Sequence, residues 1–103
     1  MSTQSHRLAS ILGRHAADSA GFANELVAER AASLGRMGRA MEVALQRLRD
    51  SQDGEAREAA LKAAAAAVWA FFVQREACGF RDQRGVIAHY DIPRAVLARL
   101  GVR

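Results

Sequence analysis

Few side chains in this sequence are of the types that do covalent or metal chemistry, and their spacing does not assemble a site. The chain of 103 residues has one cysteine, Cys78, and three histidines, at positions 6, 15 and 89. Nucleophilic catalysis needs a nucleophile held beside its base, and no spacing here indicates one. Helical zinc or iron sites pair their ligands three or four residues apart, a pattern that Cys78, His89 and Glu76 do not form. We therefore predict a protein that is not an enzyme and has neither a metal nor a cofactor.

The densest group of polar side chains follows the apolar stretch that ends at Val73. In an antiparallel hairpin of the helices predicted on either side of residues 51–54, Glu29 would lie near Arg75. A cluster of arginine and carboxylate groups there would fix the junction with the C-terminal part of the chain, and we expect it to be buried. Its candidate members are Glu29, Arg75, Glu76, Arg81 and Asp82.

Basic side chains exceed acidic ones, 15 to 11, which gives a net charge of +4. A basic surface suits a nucleic-acid or an acidic-membrane partner. The arginines are dispersed, however, and an arginine-rich and alanine-rich composition also follows from a GC-rich genome. Residues 83–100 have roughly the spacing of a helix-turn-helix, with Arg94 and Arg99 on or near the exposed side of its second helix. DNA binding is therefore the main alternative function, although two short capping helices would give the same apolar spacing.

Helix-forming residues dominate the chain, which has one proline and few β-branched residues, so the sequence predicts an all-α fold. Two long helices are expected over residues 20–49 and 55–78. The short polar turn between them makes the pair an antiparallel hairpin. Residues 1–17 are expected to form a loosely docked N-terminal arm, and residues 1–103 a single domain.

Capping residues and one apolar seam define the two long helices. Asp18 or Ser19 can cap the start of the first helix, and Asp53 that of the second. Gly79 fits a left-handed cap at the end of the second helix. The seam of the first helix advances in steps of four and three residues, the spacing of a packed helix face. It comprises Val27, Ala31, Leu34, Gly38, Met41, Leu45 and Leu48.

Small residues interrupt the first helix at Ala31, Gly35 and Gly38. A glycine inside a helix costs about 1 kcal/mol relative to alanine, so we expect a packing reason for them. In a simple hairpin register Gly35 falls opposite Trp69. The small residues are therefore predicted to form a notch that receives the bulky side chains of the second helix.

The tail over residues 82–100 is predicted to form two short capping helices. Asp82 can cap the first of them and Asp91 the second, which has Pro93 in its first turn. The apolar residues of the tail would close over the aromatic end of the hairpin. On the second long helix, Glu58 and Lys62 have the spacing of a favourable ion pair.

Helix length predicts self-association. A helix of 30 residues is about 45 Å long, whereas a compact chain of this size has a diameter of about 33 Å. The second helix is also apolar on every side between Ala63 and Val73 and must be covered on every side. We expect two hairpins to pair through alanine-rich and glycine-rich faces, giving a homodimer with a four-helix bundle.

Three segments of the chain resemble a family of small helical bacterial proteins that has no assigned function. They are Ala32–Ala40 (ASLGRMGRA), Val73–Asp82 (VQREACGFRD) and His89–Pro93 (HYDIP). The resemblance implies an all-helical fold and a bacterial setting.

The lone cysteine fits a reducing cytoplasm, and the longest apolar run, Ala63–Val73, is too short for a membrane span. We therefore predict a cytoplasmic, non-enzymatic structural or protein-interaction module, with an unknown protein partner and no membrane contact.

Overall fold

Four helices make up the described chain. The computed structural model describes the backbone of residues 2–100 and the side chains of residues 19–100. Over that range the chain contains no strand, so the predicted all-α fold is confirmed. The helices are α1 (Ser2–Asp50), α2 (Glu55–Ala77), α3 (Arg84–His89) and α4 (Arg94–Leu97).

The helix α1 begins at Ser2. Asp18 and Ser19 therefore lie inside it, and the predicted N-cap at these residues is wrong. Residues 2–17, expected to be an arm, continue the same helix, while their side chains lie outside the described residues. The reason is the lack of a strong helix breaker in this segment, because a single glycine, Gly13, costs only about 1 kcal/mol.

Two compact units divide the chain, residues 1–31 and residues 32–103. In the first unit every described side chain is exposed, including Phe22 and Val27. Val27 and Ala31 were expected to begin the buried seam of α1, and their exposure contradicts that prediction.

A hairpin forms the centre of the second unit, in which the end of α1 packs against α2. Met41, Leu45 and Leu48 of α1 are at most 2% exposed. They stand at the predicted steps of four and three, so the seam is confirmed in this unit. Their cluster partners on α2 are Leu61, Ala64, Ala65, Val68, Phe71 and Phe72.

The turn between α1 and α2 is stabilised at the Leu48 carbonyl oxygen. Ser51 Oγ donates to this oxygen at 2.7 Å, and an Arg57 terminal nitrogen donates to it at 3.4 Å. The N-cap of α2 is Gly54, with φ 99° and ψ −152° and no side-chain hydrogen bond. The predicted cap at Asp53 is therefore wrong, because the chain enters α2 through a conformation that only glycine adopts readily.

Asp91 ends α3 and does not begin α4. Its φ is 50°, and the backbone N–H of Ile92 donates to the Ile87 carbonyl at 3.0 Å. That bond and the left-handed residue form a Schellman-type end of α3. The start of α4 is instead preceded by Pro93, whose carbonyl accepts the backbone N–H of Val96. The prediction that Asp91 caps the second short helix is therefore wrong.

The tail packs onto the hairpin through α4 and α3. Val96 is fully buried, Ile92 is buried, and α4 contacts α2. The ring of Tyr90 meets the Phe71 ring edge to face at 6.2 Å. Arg49 of α1 donates to the Tyr90 carbonyl at 2.8 Å. These contacts fix the tail against both helices of the hairpin.

Candidate interaction surface

Arg75 joins the end of α2 to the start of α3. Its Nε donates to Gln83 Oε1 at 2.7 Å, and a terminal nitrogen donates to the Asp82 carbonyl at 3.3 Å. The guanidinium carbon also lies 5.2 Å from the Phe80 ring centre and 5.9 Å from that of Phe71, within cation–π range. The hydrogen-bond acceptors of Arg75 are thus a neutral amide and a carbonyl.

Gly79 sets the geometry of this junction. It adopts φ 94°, its N–H donates to the Glu76 carbonyl at 3.0 Å, and the Phe80 N–H donates to the Arg75 carbonyl at 2.8 Å. These two bonds define a Schellman cap, so the predicted left-handed cap at Gly79 is confirmed. The cap brings the Phe80 ring to the Arg75 side chain.

The remaining candidates of the polar network lie at the surface. Asp82 pairs with Arg84 at 2.9 Å, and hydrogen bonds from the Arg84 side chain and backbone hold the pKa of Asp82 below its usual range. The Asp82 carboxylate also accepts the backbone N–H of Arg84, the first residue of α3, at 3.0 Å. The N-cap residue is Gln83, which makes no side-chain cap hydrogen bond, so the prediction of an N-cap at Asp82 is wrong by one residue. Glu76, Arg81 and Glu29 are exposed, the last in the first unit. No described polar or charged residue is fully buried, so the expectation of a buried arginine–carboxylate cluster is wrong. A neutral amide satisfies Arg75 without the desolvation cost of a buried carboxylate.

Arg99, one of the two arginines of the DNA-binding alternative, is engaged in an ion pair. Its two terminal nitrogens contact the two carboxylate oxygens of Glu58 at 2.5 and 2.9 Å. The hydrogen bond from Arg99 is the main cause that lowers the pKa of Glu58. The same hydrogen bond raises the pKa of Arg99. The charge of Lys62, the expected partner of Glu58, also contributes to lowering the pKa of Glu58. The ion pair with Arg99 also links α2 to the tail.

Arg94, the other arginine of that alternative, is exposed at the start of α4. That helix has four residues and packs against α2. A recognition helix presents several side chains along the major groove, which a single turn held against the hairpin does not do. The geometry therefore gives the DNA-binding alternative no support.

Cys78 and His89 do not meet in a reactive arrangement. Cys78 is half-buried at the end of α2, where the Gln74 amide approaches its sulfur at 3.9 Å. The His89 ring is exposed and meets the Tyr90 ring edge at 4.8 Å. Within residues 19–100 no group of three or more His, Cys, Asp and Glu side chains has the arrangement of a metal site.

The small-residue notch receives Phe71 where Trp69 was expected. A Cβ on Gly38 would lie 3.3 Å from the Phe71 ring, whereas one on Gly35 would meet only the Arg39 guanidinium, at 3.4 Å. Trp69 is 40% exposed. The register drawn from the turn alone ignored the direction of the side chains, because Phe71 lies on the face of α2 that meets α1 and Trp69 does not.

One face of α2 is apolar and exposed along most of the helix. Trp69 and Val73 are 40% and 46% exposed. The positions between Ala59 and Ala77 that share this face are exposed as well and advance in steps of four and three residues. They are Ala59, Ala63, Ala66, Ala70, Val73 and Ala77. We call these six residues together with Trp69 the outer face of α2.

The outer face was not predicted from the sequence, although the spacing of apolar residues in α2 indicates it. Between Ala63 and Val73 the helix is apolar on all sides, so a second apolar stripe remains once the residues that meet α1 are removed. Between Ala59 and Ala77, Lys62 and Glu76 bring charge to one edge of this face. Exposed apolar stripes of this kind mark interaction sites on monomeric surfaces.

An apolar groove of about 410 Å³ adjoins the outer face at Ala63. Side chains of α1 and α2 line the floor of this groove. Val43, one of them, is 51% exposed. Two exposed arginines, Arg39 and Arg47, stand at its rim. The remaining lining residues are Ala40, Ala44 and Ala60.

The fold and this surface define the class of the protein. It is a small all-α protein in which a helical hairpin is closed by a helical tail and one apolar face of α2 is exposed. The model of a family of unknown function, DUF6665, matches residues 3–103. The chain belongs to this family, which confirms the resemblance to a family without an assigned function. No curated protein and no solved structure matches the chain. Among residues 2–100, no helix has the combined length and hydrophobicity of a membrane span.

Proposed function

We propose that the protein is a non-enzymatic interaction module that works as a homodimer and associates through the outer face of α2. The observation that supports this proposal is the exposure of Trp69 and Val73 beside a stripe of exposed alanines. The single cysteine, Cys78, is free and fits a reducing compartment. We place the module in the bacterial cytoplasm.

Burial of the outer face supplies the driving force for association. Removing apolar surface from water is worth about 25 cal/mol per Å², and Trp69 and Val73 present the largest apolar side chains of this face. The alanines add little area, but they let two helix axes approach to about 8 Å, the short end of the usual packing range. Two hairpins joined in this way place four long helix segments side by side, as in a four-helix bundle.

Sedimentation velocity over a concentration series tests the proposal. The wild-type chain should sediment as a dimer, whereas Ala66→Glu should remain monomeric, because two carboxylates would be placed in the centre of the interface. Ala66 is exposed, so the variant should keep its helical content. The matched control Ala88→Glu changes an exposed alanine on α3 and should leave the dimer intact.

Two results would contradict the proposal. One is a wild-type chain that stays monomeric at every concentration. The other is a dimer that Ala66→Glu leaves unchanged, since that dimer would use another surface.

A further inference from the structure

We infer that two copies of α2 pair antiparallel, with the two-fold axis passing between Ala66 and Ala70. This inference rests on the proposed homodimer and specifies its geometry. It follows from the spacing of the outer face, from two charges at its edge and from the groove beside it.

The spacing of the outer face sets the register. Steps of four and three residues are those of the core positions of a coiled coil. In an antiparallel pair with Ala66 facing Ala70 of the second copy, Ala63 faces Val73 and Ala59 faces Ala77. Every position of the stripe then has a partner. A shift by one heptad leaves positions at both ends unpaired, so it buries less apolar surface.

Charge complementarity selects the antiparallel direction. Lys62, Trp69 and Glu76 recur every seven residues along one edge of the outer face, each directly before a core position. In the register above, Lys62 lies opposite Glu76 of the second copy on both sides of the axis, and Trp69 lies opposite its own counterpart. In a parallel pair Lys62 would face the uncharged Ala67. Flanking charges of this kind set the orientation of coiled coils.

The groove gives the register a second support. Val73 of the second copy lies opposite Ala63, which lines the groove together with Val43. The side chain of Val73 would cover the apolar floor of the groove at this point, and Val43, now 51% exposed, would lose contact with water. The small residues on this side leave room for a branched side chain that the hairpin itself does not supply.

A charge-reversal cycle measured by sedimentation equilibrium tests the orientation. Lys62→Glu and Glu76→Lys each replace two attractive pairs by two repulsive ones, and each should raise the dimer Kd about tenfold at low salt. The double variant restores both pairs with exchanged signs and should return the Kd to within about twofold of the wild-type value. Arg81→Glu changes the net charge by the same amount as Lys62→Glu at another exposed position and should leave the Kd unchanged.

The outcomes separate the inference from the proposed function. Rescue in the double variant supports the antiparallel register. If the wild-type chain dimerises but single reversals have no effect, or their effects add in the double variant, the register is overturned and the homodimer stands. If the wild-type chain is monomeric, both proposals fall.

A distance measurement between spin labels gives a second readout of the orientation. Labels at Glu55→Cys of the two copies, in a Cys78→Ser background, should be about 40 Å apart in the antiparallel pair and about 10 Å apart in a parallel one.

Discussion

Gly35 and Gly38 lie less than one helical turn apart on α1, yet their surroundings differ. A Cβ at Gly35 would touch only the flexible end of Arg39, so Gly35→Ala should stabilise the fold by about 1 kcal/mol through helix propensity. A Cβ at Gly38 would press on the buried ring of Phe71 at 3.3 Å, and overpacking should outweigh the same gain. We expect Gly38→Ala to be about 1 kcal/mol less stable than the wild type. Urea denaturation of both variants checks this, and equal stabilisation of the two would show that the notch is not close-packed.

Asp91 carries a backbone conformation that suits glycine better. At φ 50° it ends α3, and a left-handed conformation costs an L-residue about 1 kcal/mol, somewhat less for Asp. Asp91→Gly should therefore raise the free energy of unfolding by about 0.5–1 kcal/mol. Asp91→Ala keeps the Cβ and should give no such gain. Thermal denaturation of the two variants distinguishes relief of backbone strain from the removal of a charge.

The pair of Glu58 with Arg99 should make stability depend on pH. The pKa of Glu58 is lower in the folded chain, so the pair stabilises the fold above the unfolded glutamate pKa of about 4.3. That stabilisation is lost as the pH falls through the folded-state pKa. Wild type should have a higher Tm than Glu58→Gln near about pH 7, and the gap should narrow as the pH falls below about 4.3, the unfolded glutamate pKa. Glu58 is exposed and Arg99 only half-buried, so the gap should be modest and should shrink with salt. A gap independent of pH would contradict the ion pair.

At the scale of elements, the end of α2 and the start of α3 are held by one side-chain pair. Arg75→Met keeps the aliphatic stem and removes the donor to Gln83. A double-mutant cycle with Gln83→Ala should give a coupling energy of about 1 kcal/mol. The control Arg81→Met changes an exposed side chain and should shift stability by less than about 0.5 kcal/mol. A coupling energy of zero would mean that the Schellman cap at Gly79 fixes the junction without Arg75.

The elements that could be predicted from sequence are those with a local signal. Gly79 after an apolar helix and the steps from Leu34 to Leu48 gave one cap and one packed face correctly. Local signals failed where two neighbouring residues could each be the N-cap of α2. Asp53 and Gly54 both suit that position, and the N-cap is Gly54 because its φ of 99° is readily adopted only by glycine.

Other features depend on contacts far apart in the chain. The Arg75–Gln83 bond depends on how the tail folds back. The Phe71 contact with Gly38 depends on the rotation of α2 about its axis. The spacing of nearby residues does not predict either contact. For this reason the predicted carboxylate network and the predicted contact between Gly35 and Trp69 were wrong.

At the scale of the whole molecule, the reason to expect a dimer shifts from helix length to the outer face of α2. From the sequence alone, the segment Ala63–Val73 is apolar on all sides and was expected to pack against other helices on all sides. In the structure, the hairpin and tail cover one side, with Val68 and Phe71 buried, and leave Trp69 and Val73 exposed. The outer face of α2 has a regular spacing of four and three residues. A two-fold dimer uses the same surface on both subunits, and this spacing lets the outer face pair with a second copy of itself.

The emission of Trp69, the single tryptophan of the chain, tests the central claim most directly. In the dimer its partly exposed ring would be shielded by the second copy, whereas in Ala66→Glu it should remain in contact with water. At the highest concentration of a dilution series, the emission maximum of the wild-type chain should lie at a shorter wavelength than that of the variant. On dilution the wild-type maximum should move toward the variant's value, because the dimer dissociates. Identical emission spectra of the two chains at every concentration would contradict an interface at the outer face of α2.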